Sequence, residues 1–107
     1  MVDDLVRIAI RKYLEAARAA GIRTRRGALF GSHARGEADE WSDIDLVVIS
    51  PDLDGDIDRE TVARLWELRA HTDSRIEPVA CGEVEWEHED SRPIIEVARR
   101  EGIIIEI

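Results

Sequence analysis

The residues best suited to chemistry lie between positions 31 and 46, Gly-Ser-His-Ala-Arg-Gly-Glu-Ala-Asp-Glu-Trp-Ser-Asp-Ile-Asp-Leu. Asp43 and Asp45 stand two apart, and the run from Ile44 to Ile49 is β-branched and apolar enough to be a buried strand. At a strand period of two both carboxylates face one side, their Cα atoms roughly 6–7 Å apart, while Ile44 and Leu46 face the other. Two acids on one face repel, and their burial is costly unless solvent, a cation or a divalent metal offsets the charge. Oxygen-only ligation at this spacing suits Mg²⁺ or Mn²⁺, with ligand phosphates completing the coordination. Upstream, Gly31 and Ser32 are expected to turn the chain from a strand into a short helix, exposing backbone N–H groups that attract anions. Gly31 admits close approach of a ligand, Ser32 adds a hydroxyl donor, and Arg35 supplies a planar charged fork to the same oxygens. A triphosphate tail fits this turn, so turn and acids read as one nucleotide site.

Each piece also has a plainer reading. Asp-x-Asp can be the solvated start of a strand, Gly-Ser an ordinary turn, and Arg35 a surface charge on a helix. His33 reads as a surface residue rather than a ligand or base. Trp41 either stacks on a base at the rim of the pocket or packs beneath its loop.

The elements that must hold these residues alternate along the chain. Val2 to Ala20 has helical spacing and stops at Gly21; Ile22 or Arg26 to Phe30 is a strand; Ile44 to Ile49 is the second. After a loop from Pro51 to Asp58, Asp58 caps a helix carrying Val62, Leu65, Trp66 and Leu68. Arg75 to Ala80 is a third strand, in which Pro78 favours an edge or a bulge. Pro93 opens a helix through Arg100 that Gly102 ends, and Ile103 to Ile107 is a last strand. That strand either completes its own sheet or adds to a partner's edge. The order predicts an α/β (α+β) sandwich with a mixed sheet, helices on one face and the metal site opening on the other, as one domain over residues 1–107.

The motif Gly31-Ser32-x-Ala34-Arg35-Gly36 followed by Ser42-Asp43-Ile44-Asp45-Leu46 closely resembles the signature of the minimal nucleotidyltransferases, the small branch of the polymerase beta-like nucleotidyltransferase superfamily. The opening helix, the later acidic strand and the closing helix-Gly-strand extend the likeness over nearly the whole chain. The resemblance implies two-metal transfer of a nucleotide from ATP, with Mg²⁺ or Mn²⁺ held by Asp43, Asp45 and a third carboxylate. Glu77 stands where that third acid, usually Asp, belongs, and its extra methylene still lets it reach; the plainer alternative is an outward residue of a half-buried strand. Gly31, Ser32 and Arg35 would hold the triphosphate. Small members of the family commonly act as antitoxins paired with a helical HEPN ribonuclease toxin, and some transfer AMP to a toxin tyrosine. The expected function is that of such an antitoxin. The alternatives are an antitoxin that only binds and masks its toxin, and transfer to a small molecule or RNA.

Composition bounds the rest. At 107 residues and a net charge of −9, the chain has room for one modest core, and a broad grip on nucleic acid is not expected. Arg23-Thr24-Arg25-Arg26 is the only dense basic patch and reads best as a solvated connection. Cys81 is the only cysteine, no apolar run approaches a membrane span, and Asp3 and Asp4 are unlike a signal peptide, so a cytoplasmic location is expected. The acidic stretch from Glu83 to Asp90 contains His88 but lacks ligand spacing. Arg64 and His71, seven apart on a helix, resemble a ribonuclease motif only superficially, since Leu65, Trp66 and Leu68 explain that helix as a core packer.

Overall fold

A computed structural model describes residues 2–88 and 92–107. Helix α1 (Asp4–Ala19) begins where the Asp3 carboxylate accepts the Leu5 N–H at 2.7 Å. This cap explains why the helix starts later than its apolar spacing. Its stripe of Val6, Ile10, Tyr13, Leu14 and Ala17 is buried. Strand β1 (Arg26–Phe30) leads through Gly31 into the single turn α2 (Ser32–Arg35). Strand β2 (Ile44–Ser50) follows, then a 3₁₀ turn at Pro51–Leu53. Helix α3 (Arg59–Glu67) is capped by Asp58, as its sequence predicts, and a 3₁₀ turn (Leu68–His71) leads to β3 (Ile76–Gly82). The chain closes with α4 (Glu83–Glu87), α5 (Pro93–Glu101) and β4 (Ile103–Glu106).

The four strands form one mixed sheet in the order β3-β2-β1-β4. β1 runs antiparallel to both β2 and β4, whereas β2 and β3 are parallel, joined by the α3 crossover. The closing strand therefore completes its own sheet. Pro78 falls on the edge strand β3, where a missing N–H costs no ladder bond on the open side.

Strand alternation divides the core. Leu29, Ile44, Leu46, Val48, Ile76 and Ile105 pack under α1 and under Leu65 of α3. The Tyr13 hydroxyl, buried there, donates to the Leu65 carbonyl and ties α1 to α3. Ala28, Phe30, Val47, Ile49 and Cys81 face the other way, against Trp86 of α4 and Ile95 and Ala98 of α5. The α+β class and mixed sheet match expectation. The layering differs in one respect: the face expected to be open carries α4 and α5. The stretch after Gly82 reads as solvated acid because its charges hide one anchor, Trp86, which is buried. Glu89 and Asp90 of that stretch lie outside the described residues. No helix among the described residues is long and apolar enough to cross a membrane.

Candidate active site

Register builds the site. Phe30 of β1 lies opposite Asp45 of β2, and Asp45 lies opposite Glu77 of β3. Asp45 shares its side of β2 with Val47 and Ile49, so the acids crown the face that α5 covers. Asp43 sits one step before the strand, exposed, and its charge acts on both Asp45 and Glu77. The three carboxylates expected from the sequence are thus neighbours.

Gly31 completes this row. Its backbone (φ 75°, ψ −153°) lies in a region essentially reserved for glycine. A Cβ there would overlap Asp45 Oδ2, so the turn rests directly on the carboxylate. Ser32 opens α2, half-buried. One turn is too short for a useful macrodipole, and the anion-attracting groups are individual donors: the first-turn N–H groups, which have no intrahelical acceptor, and Arg35. Two of these donors already meet a carboxylate. Glu101 Oε1 accepts from Gly31 N–H at 3.4 Å and from Arg35 Nη1 at 3.1 Å, while Arg35 Nε donates to Glu37 at 3.2 Å.

The electrostatics are those of acids lacking enough cations. Burial, then Asp43, raises the pKa of Asp45, and the charges of His33 and Arg35 offset this only in part. Burial, then Asp43 and Asp45, likewise raises Glu77, against the pull of Arg69. Oxygen donors held above their ordinary range by burial and then by neighbouring carboxylates suit a divalent ion. Among the described residues no group of three or more His, Cys, Asp or Glu side chains is arranged to hold a metal by itself. An ion would therefore rest on one or two carboxylates and on ligand oxygens, the habit of Mg²⁺ at phosphate sites. The residues fit such an ion.

Several surrounding residues are placed differently from the sequence reading. His33 is half-buried at the rim, its Nε2 at 3.4 Å from the Ser42 carbonyl. Trp41 does not pack under its loop: it is 83% exposed, because Asp39 binds the Trp41 N–H (2.9 Å) and the Ser42 hydroxyl (3.2 Å) and shapes the loop by itself. Arg69, absent from the sequence reading, acts electrostatically on Glu77, donates to the Ser74 carbonyl at 2.6 Å and lies 4.7 Å from the Trp66 ring centroid. Its Nε is buried without a hydrogen-bond partner. Nothing local marks it, since a 3₁₀ turn after α3 brings it to the site. Arg64 donates to the Ala20 carbonyl and His71 is exposed, in keeping with a structural role for that helix. Burial pushes the Cys81 thiol up to about 12, which makes it unreactive.

A cleft of about 420 Å³ borders the motif loop, lined by Asp3, Leu5, His33, Gly36, Asp39 and Arg75 among others. A larger hollow of about 620 Å³, lined by Arg18, Arg23 and Arg25, lies at the opposite end of β1 and includes none of the acids. Neither hollow is lined by Asp43, Asp45 or Glu77; the smaller one touches the motif through His33 and Gly36, and the larger one is basic.

The family model for the nucleotidyltransferase domain matches residues 10–102. A crystal structure of a candidate nucleotidyltransferase from Sulfolobus solfataricus superposes with a TM-score of 0.61 at 14% identity, covering 92% of this chain and 77% of that one. At that identity the likeness speaks for the fold alone. No curated protein matches the sequence. With the match spanning the motif, the acidic strands and α5, the chain belongs to the nucleotidyltransferase domain family.

Proposed function

We propose that this chain is an ATP- and Mg²⁺-dependent nucleotidyltransferase that acts as an antitoxin, transferring AMP to a tyrosine of a helical HEPN ribonuclease partner. The observation that carries the reading is the row Phe30–Asp45–Glu77 with Gly31 pressed onto Asp45. It sets carboxylates against a turn that accepts a polyphosphate. Asp43 and Asp45 would hold Mg²⁺, which when bound neutralises phosphate charge and acidifies an acceptor hydroxyl. Gly31, Ser32 and Arg35 orient the β- and γ-phosphates so that the acceptor oxygen meets the α-phosphorus in line with the departing pyrophosphate. The new O–P bond forms as the bond to the bridging oxygen breaks, and pyrophosphate leaves with that electron pair. Glu77 takes the hydroxyl proton, a role helped by a pKa held above the ordinary carboxylate range.

A protein acceptor is favoured by the surface around the site. Leu5 of α1 (73% exposed) lines the cleft beside His33, and Trp41 projects from the loop that bounds it. Such apolar exposure beside a polar site suits a protein surface. The charge of −9 disfavours an RNA acceptor, which would be repelled away from any basic patch. Asp52 and the pair Glu83 and Glu87 engage Arg23 and Arg26 respectively, further reducing the basic patch.

The test is intact mass of the helical partner after incubation with this chain, ATP and MgCl₂. An AMP adduct on a tyrosine, lost with Asp45→Asn, is expected. No adduct, with protection of the partner retained in Asp43→Ala, selects masking without catalysis. Labelled product formed without any protein partner selects a small-molecule or RNA acceptor.

A further inference from the structure

We propose that Glu101 is a built-in competitor of the triphosphate: its carboxylate occupies the Gly31 N–H and the Arg35 guanidinium that an incoming nucleotide needs, and binding requires its displacement. The inference rests on the nucleotide reading of the site and adds a control on it.

The placement of Glu101 follows from the fold. β1 and β4 pair antiparallel with Leu29 opposite Ile103, and two steps further along that register bring Gly31 opposite Glu101. The backbone there is fixed. Ile95 and Ala98 anchor α5 in the core, Gly102 N–H donates to the Ala98 carbonyl at 2.8 Å, and a Cβ on Gly102 would overlap that same oxygen. One oxygen of Glu101 then serves two donors, Gly31 N–H at 3.4 Å and Arg35 Nη1 at 3.1 Å. The guanidinium is further engaged through Nε by Glu37, whose side chain is 65% exposed.

A polyphosphate oxygen arriving at Gly31 seeks the same N–H and the same fork, and carries like charge. The two anions cannot share the donors without strong repulsion. Because the end of α5 is held, relief comes from rotation of the Glu101 side chain, which is only partly buried and can turn to water. The cost of that rotation and of breaking its ion pair lowers apparent nucleotide affinity, as any equilibrium favouring the unready state does.

Isothermal titration of the full chain with ATP in MgCl₂ tests this, comparing wild type, Glu101→Gln, Glu101→Ala and Glu96→Gln. Gln keeps the shape and removes the charge. Glu96, exposed on the same helix, controls for net charge alone. Glu101→Gln is expected to bind ATP about three- to tenfold more tightly than wild type, Glu101→Ala at least as tightly, and Glu96→Gln within about twofold of wild type. Circular dichroism verifies that each variant is folded. If wild type binds and Glu101→Gln binds no more tightly than Glu96→Gln, or more weakly, Glu101 does not compete and the proposal falls while the nucleotide reading stands. If no variant takes up ATP at millimolar concentration, the nucleotide reading falls and the proposal with it.

Discussion

The two ends of β1 handle charge in opposite ways. At the Arg26 end acids and bases are matched: Arg23 meets Asp52 at 2.8 Å, and Arg26 meets Glu83 at 3.0 Å and Glu87 at 2.9 Å. The buried Thr24 hydroxyl there donates to the Ile49 carbonyl at 2.8 Å. At the Phe30 end acid meets acid: burial and then Asp43 hold Asp45 above its ordinary pKa, and burial, then Asp43 and Asp45, do the same to Glu77. The first arrangement is what folding alone favours. The second costs stability, and it persists where an external cation and a charged ligand complete the balance. The difference marks the candidate site more sharply than cavity size does, since the larger hollow lies at the matched end.

The largest expected effect breaks the unmatched end. Removing the outer partners of metal ligands typically costs about 10- to 100-fold, and a carboxylate on the ion itself should pass the top of that range. Asp45→Asn is therefore expected to lower nucleotidyl transfer by about a hundredfold or more, measured as pyrophosphate release with ATP and Mg²⁺. Retention of wild-type transfer would make the carboxylate row structural.

Next comes the turn. Gly31→Ala places a side chain in a glycine-only backbone region and against Asp45 Oδ2. The strain alone is of order 1–3 kcal/mol, and relief requires the turn to move off the acid. Urea denaturation should show a loss of about that size, accompanied by loss of ATP binding. The same substitution at Gly55, which also has a positive φ but nothing within 4 Å of its Cβ, should cost stability and leave ATP binding unchanged.

How far the sequence shows these two ends differs with the range of the interactions. β2 is legible because six successive residues carry its pattern, and the Gly-Ser turn because glycine is the residue such a backbone demands. Asp45 and Glu77 become neighbours through parallel pairing across an α3 crossover, which periodicity makes plausible and only register establishes. Glu101 was invisible for the same reason: its contact with Gly31 depends on the β1–β4 register, at a separation of 70 residues. The second helical face was missed because α4 shows a single buried side chain, Trp86, among acids. The Asp39 turn, by shaping the loop itself, excludes the reading in which Trp41 packs beneath it.

A smaller effect concerns stability against pH, and the two ends should have opposite signs. Asp45, with its pKa raised in the folded state, binds protons more tightly folded than unfolded, so stability falls as pH rises from the ordinary carboxylate value through the raised one. Asn at this position removes the repulsion. Asp45→Asn should therefore melt above wild type at neutral pH, and the gap should close in acid below the ordinary Asp range. Adding MgCl₂ should raise the melting temperature of wild type more than that of Asp45→Asn. Asp52 at the matched end, whose pKa is lowered chiefly by its hydrogen bond from the Arg23 side chain, behaves the other way: its contribution is present above the ordinary value and lost as pH falls through the depressed one.

The smallest effect tests the matched end. Arg26 keeps 27% of its side-chain surface exposed and reaches Glu83 and Glu87, which are 37% and 68% exposed. Water already serves such charges well, so a double-mutant cycle between Arg26→Ala and Glu83→Ala should return a coupling of no more than about 1 kcal/mol. Transfer activity should be unchanged in both single variants, because the pair sits at the far end of β1 from Asp45. A larger coupling that also lowered transfer would show that the two ends communicate along the strand, and the division between a folding end and a chemical end would have to be abandoned. A small coupling with full activity means that matched charge at one end merely keeps the sheet soluble and in register, leaving the acids at the other free to await their cation.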